Sequence, residues 1–230
     1  MAADPDPRKI LVLVEGQTEE TFIKNVLSRH LSSFNIAITP IILRTKRTEA
    51  GVTFKGGVST YQRIEKQLLN LLADSSANLV TTMLDYYGFP TISGIPRAAT
   101  GSASAKAESM ERSIEQAIGS THQGSPARFR AYLSLHEFEA LLFSQVSSLA
   151  AALGPHLSNE LENIVRRYQP EEIDDDVSTC PSARLKALFP NYKKRVDGPT
   201  IARAIGLETI RRNCPHFDRW LTFLEGLSSI

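Results

Sequence analysis

Four carboxylates in this sequence stand directly after apolar runs: Glu15 after "ILVLV", Asp85 after "LVTTML", and Glu137 and Glu139 after "FRAYLSLH". A run of that kind reads as a strand covered on both faces, which has no place for a carboxylate inside it, so each acid belongs at a strand end. If the strands are parallel, their ends share one edge, and open α/β sheets bind ligands there. Carboxylates gathered at one edge repel and raise one another's pKa unless a cation sits among them. An all-oxygen set with no matching cysteine or histidine cluster favours Mg²⁺ (or Mn²⁺) over zinc, and Mg²⁺ leaves room for phosphate oxygens. The chemistry to expect is phosphoryl transfer.

The elements that must position these acids follow from the hydrophobic pattern. Residues 10–14 predict a first strand, then a helix whose Phe22, Ile23, Val26, Leu27 and Leu31 fall at helical spacing, with Thr18 as its N-cap. "IAITPIILR" predicts a second strand region interrupted by Pro40, followed by a polar, basic loop or edge hairpin, "TKRTEAGVTFKGG". "VSTYQRIEKQLLNLL" predicts a helix, residues 79–84 a strand, and "SASAKAESMERSIEQAIG" another helix; residues 129–135 predict a strand passing into a helix near His136 or Glu137. Strands alternating with helices predict an α/β fold, a mostly parallel sheet flanked by helices. Beyond Phe143, short amphipathic segments punctuated by Pro155, Pro170, Pro181, Pro190, Pro199 and Pro215 predict a helical region. The expected organisation is a disordered start (1–8), an α/β core (9–143) and a helical region packed on that core (144–230).

A formal charge of +1 gives no global attraction to nucleic acid or membrane, so an anionic ligand needs a local patch. Two cysteines, Cys180 and Cys214, make no disulfide framework and read as reduced thiols. The start "MAADPDPRK" is unlike a signal peptide and no run approaches the ~20 apolar residues of a membrane span, so a cytoplasmic protein is expected, with no membrane partner.

The opening "LVLVEGQTEETFI", the strand end "MLDYYGFP" and the junction "HEFEALLF" resemble the TOPRIM fold of topoisomerases, primases and the nucleases of the overcoming-lysogenization-defect group. Over residues 8–226 the chain also resembles a TOPRIM-like bacterial family of unknown function, through the distal stretch "PSARLKALFPNYKKRVDGPTIARAIGLETIRRNCPHFDRWLTFLEGL". The resemblance implies a Mg²⁺-dependent nuclease in which Glu15 serves acid–base chemistry or metal binding and Asp85 holds metal. It further implies that Glu139, with Glu137 beside it, supplies the acid that such nucleases place after a later strand. A partner ATPase, a role in phage defence and a homo-oligomer belong to the same implication. One departure stands out: the Asp-x-Asp motif reads "DYY", so Tyr87 stands where a second aspartate would, and cannot supply a carboxylate oxygen.

Each residue also has a structural reading. Glu15 could cap the following helix, and Asp85 could open a turn with Gly88 and Pro90. On a helix Glu137 and Glu139 would lie about 200° apart, so one of them at most would face the site, Glu139 being preferred. His136 could orient a carboxylate or phosphate, or serve structure alone. Arg44, Lys46, Arg47 and Lys55 form a basic, glycine-bearing stretch that could hold a phosphate backbone, as could Lys193 and Lys194. "FKGG" lacks the spacing of a nucleotide-binding loop, and "CPHF" has no partner pair at zinc spacing. Three classes remain open: a metal-dependent nuclease, a non-catalytic subunit that binds nucleic acid or an ATPase, and a helical adaptor.

Overall fold

The computed structural model describes residues 6–44, 60–93, 95, 97–98, 100–121, 126–173 and 180–229. Strand β1 (Arg8–Val14) is followed by α1 (Gln17–Phe22), a five-residue π-type turn (Ile23–Leu27) and α2 (Ser28–Ser32). Then come β2 (Ile36–Ile42), α3 (Tyr61–Leu72), β3 (Leu79–Asp85) and α4 (Ala103–Thr121). Two short strands follow, β4 (Phe129–Arg130) and β5 (Leu133–Ser134), and then the helices α5 (Val146–Leu153), α6 (Ser158–Val165), α7 (Pro181–Leu188), α8 (Lys194–Ile205), α9 (Leu207–Asn213) and α10 (Pro215–Gly226).

Among the described residues the named strands all pair in parallel, in the order β2-β1-β3-β4, with β5 also on β3. The predicted mostly parallel sheet flanked by helices is the architecture observed. Alternation along β1 sends Ile10, Val12 and Val14 to one face and Leu11 and Leu13 to the other. The first face is covered by α1, α2 and the C-terminal helices, through Phe22, Phe138, Phe143, Phe217 and Leu221. The second is covered by α3 and α4, through Ile64, Leu68, Met110 and Ile114. Connections leave β1 and β3 in opposite directions across the sheet, so the strand order reverses between their C-terminal ends. Such a reversal opens a crevice at that edge.

The fourth strand differs from expectation. Residues 129–135 are two short pieces in one register, Val80 opposite Phe129 and Asp85 opposite Ser134. Between them Thr82 replaces the ladder: its Oγ1 accepts the Tyr132 N–H at 2.8 Å and donates to the Tyr132 carbonyl at 2.7 Å. The outward N–H groups of Ala131 and Leu133 are taken by Glu115 (3.0 Å) and Glu111 (2.8 Å) of α4, which covers an edge that would otherwise invite another strand. The helix expected near Glu137 is instead a 3₁₀ segment, Phe138–Ser144. Thr18 does not cap α1, since the N-cap position is Gly16, and Pro199 lies inside α8 instead of ending it. Arg8 already belongs to β1, while residues 1–5 of the expected disordered start lie outside the described residues.

The last helix is tied to this edge. Trp220 Nε1–H donates to Thr81 Oγ1 at 3.0 Å, and Tyr132 stacks on Trp220 with centroids 4.5 Å apart. Buried His216 places Nε2 2.9 Å from Glu111 Oε1 and 3.2 Å from the Leu133 carbonyl. Burial pulls the imidazolium down, but the Glu111 hydrogen bond and charge outweigh it, and the pKa lies above the ordinary histidine value. A raised pKa contributes stability that is complete below the unfolded value, near ~6.5, and is lost as pH rises through the folded value. Glu111→Gln, which can still accept from Leu133, is therefore expected to lower the thermal midpoint at pH 6 by about 2–4 °C, the equivalent of ~1 kcal/mol. At pH 9 the gap between wild type and variant is expected to close, as thermal denaturation at the two pH values would show.

Candidate functional site

The site is built where β1 and β3 end side by side. Glu15 follows Val14, is exposed, and lies across the end of β3, its Oε2 accepting the Asp85 N–H at 3.3 Å. The turn after Asp85 borders the same carboxylate: a Cβ at Gly88 would stand 3.9 Å from Glu15 Oε2. Asp85 Oδ1 is buried with no hydrogen-bond partner among the described residues. Burial, then the charge of Glu15, hold the Asp85 carboxyl well above its ordinary pKa, and Lys194 opposes them.

A second acid behind Glu15 is buried Glu19, whose Oε2 accepts the Gly16 N–H at 3.0 Å at the start of α1. Glycine has no side chain to complete the reciprocal bond, so this is half of a capping box. Burial raises the Glu19 pKa, against Lys194, with Glu15 and Glu139 adding to it. Sequence reasoning missed Glu19, although an acid three residues after a helix-starting glycine was the available signal.

The later acids are held from the C-terminal helices. Both oxygens of Glu137 are committed to Ser182 at the start of α7, Oε2 to its N–H at 2.9 Å and Oε1 to its hydroxyl at 3.0 Å. Glu139 is 0% exposed; Lys194 Nζ lies 2.8 Å from its Oε2, and Tyr192 Oη–H donates to Oε1 at 3.3 Å. Burial raises the Glu139 pKa even against this ammonium. Burial opposes the Lys194 charge, but Glu139 and Asp85 outweigh it and its pKa stands above the ordinary lysine value. The helical spacing argument for Glu137 and Glu139 does not apply, because Glu137 is extended (φ −147°, ψ 165°) and Phe138 begins the 3₁₀ segment. Both acids act on Lys194.

Lys194 reaches this position because α8 comes close. A Cβ at Gly198 would meet Phe138 Cε1 and Tyr192 Oη at 3.1 Å each, so the absence of a side chain there lets α8 lie against the segment that carries Glu139. Nothing in the sequence distinguished Lys194 from its exposed neighbour Lys193, whose backbone N–H is taken by Asp197 at 2.7 Å. Arg44 is exposed at the end of β2, with its N–H on Gln67 at 3.0 Å. Lys46, Arg47 and Lys55 lie outside the described residues. His136 is buried, with its ring stacked on Tyr87. A separate cavity of about 310 Å³ between α4 and α10, lined by Glu111, Tyr132, His216 and Trp220, holds none of these acids.

Among the described residues no three His, Cys, Asp or Glu side chains converge as a ready-made metal cage. A hard divalent ion does not need one, since Mg²⁺ binds through one or two carboxylates and keeps its waters. The unpartnered buried Asp85 Oδ1 beside the exposed carboxylate of Glu15 fits that mode.

In solved structures, the chain resembles the C-terminal region of the Burkholderia pseudomallei OLD protein at 14% identity and a TM-score of 0.41, covering 95% of this chain and 98% of that one. It also resembles the C-terminal region of the Xanthomonas campestris pv. campestris OLD protein, at 15% identity and a TM-score of 0.39, covering 93% and 96%. No curated protein matches it in sequence. Among the described residues, no helix is long and apolar enough to cross a membrane. The family described as "Domain of unknown function (DUF4276)" matches residues 14–225, from the last residue of β1 into the last turn of α10, and the chain belongs to that family.

Proposed function

We propose that this protein is a divalent-metal-dependent nuclease that hydrolyses phosphodiester bonds of nucleic acid at the β1/β3 edge. The observation that carries the reading is Asp85 Oδ1, buried and without a partner among the described residues, next to Glu15 at the strand reversal. A carboxyl strongly perturbed by burial and a charged neighbour at a strand-end edge is a functional-site candidate. Glu15 and Asp85 would hold Mg²⁺ or Mn²⁺, which when bound supplies Lewis-acid stabilisation of charge on the phosphate. Glu15, the exposed member, takes the proton of the attacking water. Lys194, aimed by Glu139, stands ready to offset the negative charge that develops on the phosphoryl oxygens. Glu137 and Tyr192 are positioning residues, one holding α7 and the other Glu139.

A role in phage defence beside a partner ATPase, and a homo-oligomeric state, extend this reading and are supported by the motif resemblance alone. A non-catalytic binding subunit is the second reading. It is favoured by the Lys194–Glu139 pair, in which one carboxylate of the edge is already neutralised, and by Tyr87 in the place of an acid.

Calorimetry separates the two readings. Mn²⁺ is expected to bind the wild type and to lose its heat of binding in Asp85→Asn; no binding to the wild type would overturn the nuclease reading. Without metal, Asp85→Asn is expected to raise the thermal midpoint at pH 7 by about 2–4 °C, because burial and Glu15 disfavour the Asp85 carboxylate more than Lys194 favours it. Lys194→Met strips the buried Glu139 of its cation and is expected to destabilise by about 1–3 kcal/mol, discounted for the partial exposure of the lysine. The double variant with Glu139→Gln is expected to recover most of that stability, while hydrolysis stays ~100-fold or more below wild type. Denaturant titration together with a nuclease assay measures both.

A further inference from the structure

We infer that Tyr87 is a stacking platform for an unpaired base of single-stranded nucleic acid, setting the substrate class of the site proposed above, on which this inference rests. Among the described residues only Tyr87 and Val196 are large apolar side chains left exposed, and Tyr87, at 37%, stands two residues after Asp85. Its position is dictated by register. Leu84 pairs with Leu133 and Asp85 with Ser134, so two residues further on Tyr87 meets His136. The Tyr86 N–H continues that register, donating to the Ser134 carbonyl at 3.0 Å.

The ring is supported from behind. His136 lies parallel to it, with centroids 5.0 Å apart and planes 18° from one another, and Tyr86 meets it edge-on at 5.0 Å and 79°. Arg97 in turn lies 5.0 Å over the Tyr86 ring and donates to the Phe89 carbonyl. His136 is held at φ +64°, a left-handed conformation that a non-glycine residue adopts only when its surroundings impose it. A phenol cannot ligate a metal as an aspartate does, but a ring fixed before ligand arrives presents a π-face without further loss of side-chain freedom. Bases stack on such faces with little regard to sequence, and only unpaired bases offer theirs. A base on Tyr87 brings its phosphate towards Glu15 and Asp85, since the Tyr87–Gly88 turn borders the Glu15 carboxylate.

The test is fluorescence anisotropy with short labelled oligothymidylate and oligouridylate, in Ca²⁺ to prevent cleavage, against an abasic phosphodiester strand of the same length. Tyr87→Ala is expected to weaken binding of the base-bearing strands about 5- to 150-fold. Tyr87→Phe is expected to stay within about twofold of wild type, which separates loss of the ring from loss of the fold. On the abasic strand Tyr87→Ala is expected to match wild type. The DNA and RNA arms tell which sugar the platform serves. Equal binding by wild type and Tyr87→Ala, an equal loss on the abasic strand, or no binding of base-bearing strands by the wild type would each overturn the inference. Mn²⁺ calorimetry does not involve Tyr87, so it decides the metal reading separately.

Discussion

A glutamate with no exposed surface must be paired or neutralised, and in this protein Lys194 pairs with Glu139. Removing either partner of such a buried pair leaves an uncompensated charge, which costs far more than the intact pair contributes. The requirement propagates outward. Lys194 begins α8, α8 packs against α1 and the 3₁₀ segment, and Gly198 is the position that allows the approach. A site that starts on the sheet is thus completed by the C-terminal helices, which share one apolar cluster with β1 and β3.

One lysine does not balance the acids around it. Glu15, Glu19, Asp85, Glu137 and Glu139 remain close enough for burial and repulsion among them to raise the pKa of Glu19, Asp85 and Glu139, and Asp85 keeps a buried oxygen with no partner among the described residues. A fold selected for stability alone would have paired that oxygen or replaced it with an apolar group. The imbalance falls at the reversal of strand order, where open parallel sheets bind ligands. Frustration gathered at an edge suited to a ligand is the pattern of a binding site.

The far edge of the sheet shows the opposite management of charge. There Glu111 and Glu115 are spent on backbone N–H groups of β5 and its approach, and His216 closes the arrangement with α10. Thr82 fills the gap in the ladder with its hydroxyl, so β4 and β5 keep one register although they are separate strands. That register carries Tyr87 onto His136.

Strands β1 and β3 and the helices α3 and α4 were legible in the sequence because apolar periodicity is a local property of the chain, and Glu15 and Asp85 were placed at strand ends by the same pattern. The interruption between β4 and β5 was not legible, since it depends on a threonine 50 positions away in the chain. Nor was the 3₁₀ course of Phe138–Ser144, whose apolar run fits a buried helix equally well. Pro199 marked a helix end by local rules, yet tertiary packing carries α8 through it. What the sequence alone determined is where acids emerge from apolar strands. Which acids stay unpaired, which are held by Ser182 or Lys194, and which aromatic ring stays exposed were decided by the tertiary structure, because desolvation and pairing depend on neighbours that the chain brings together only by folding.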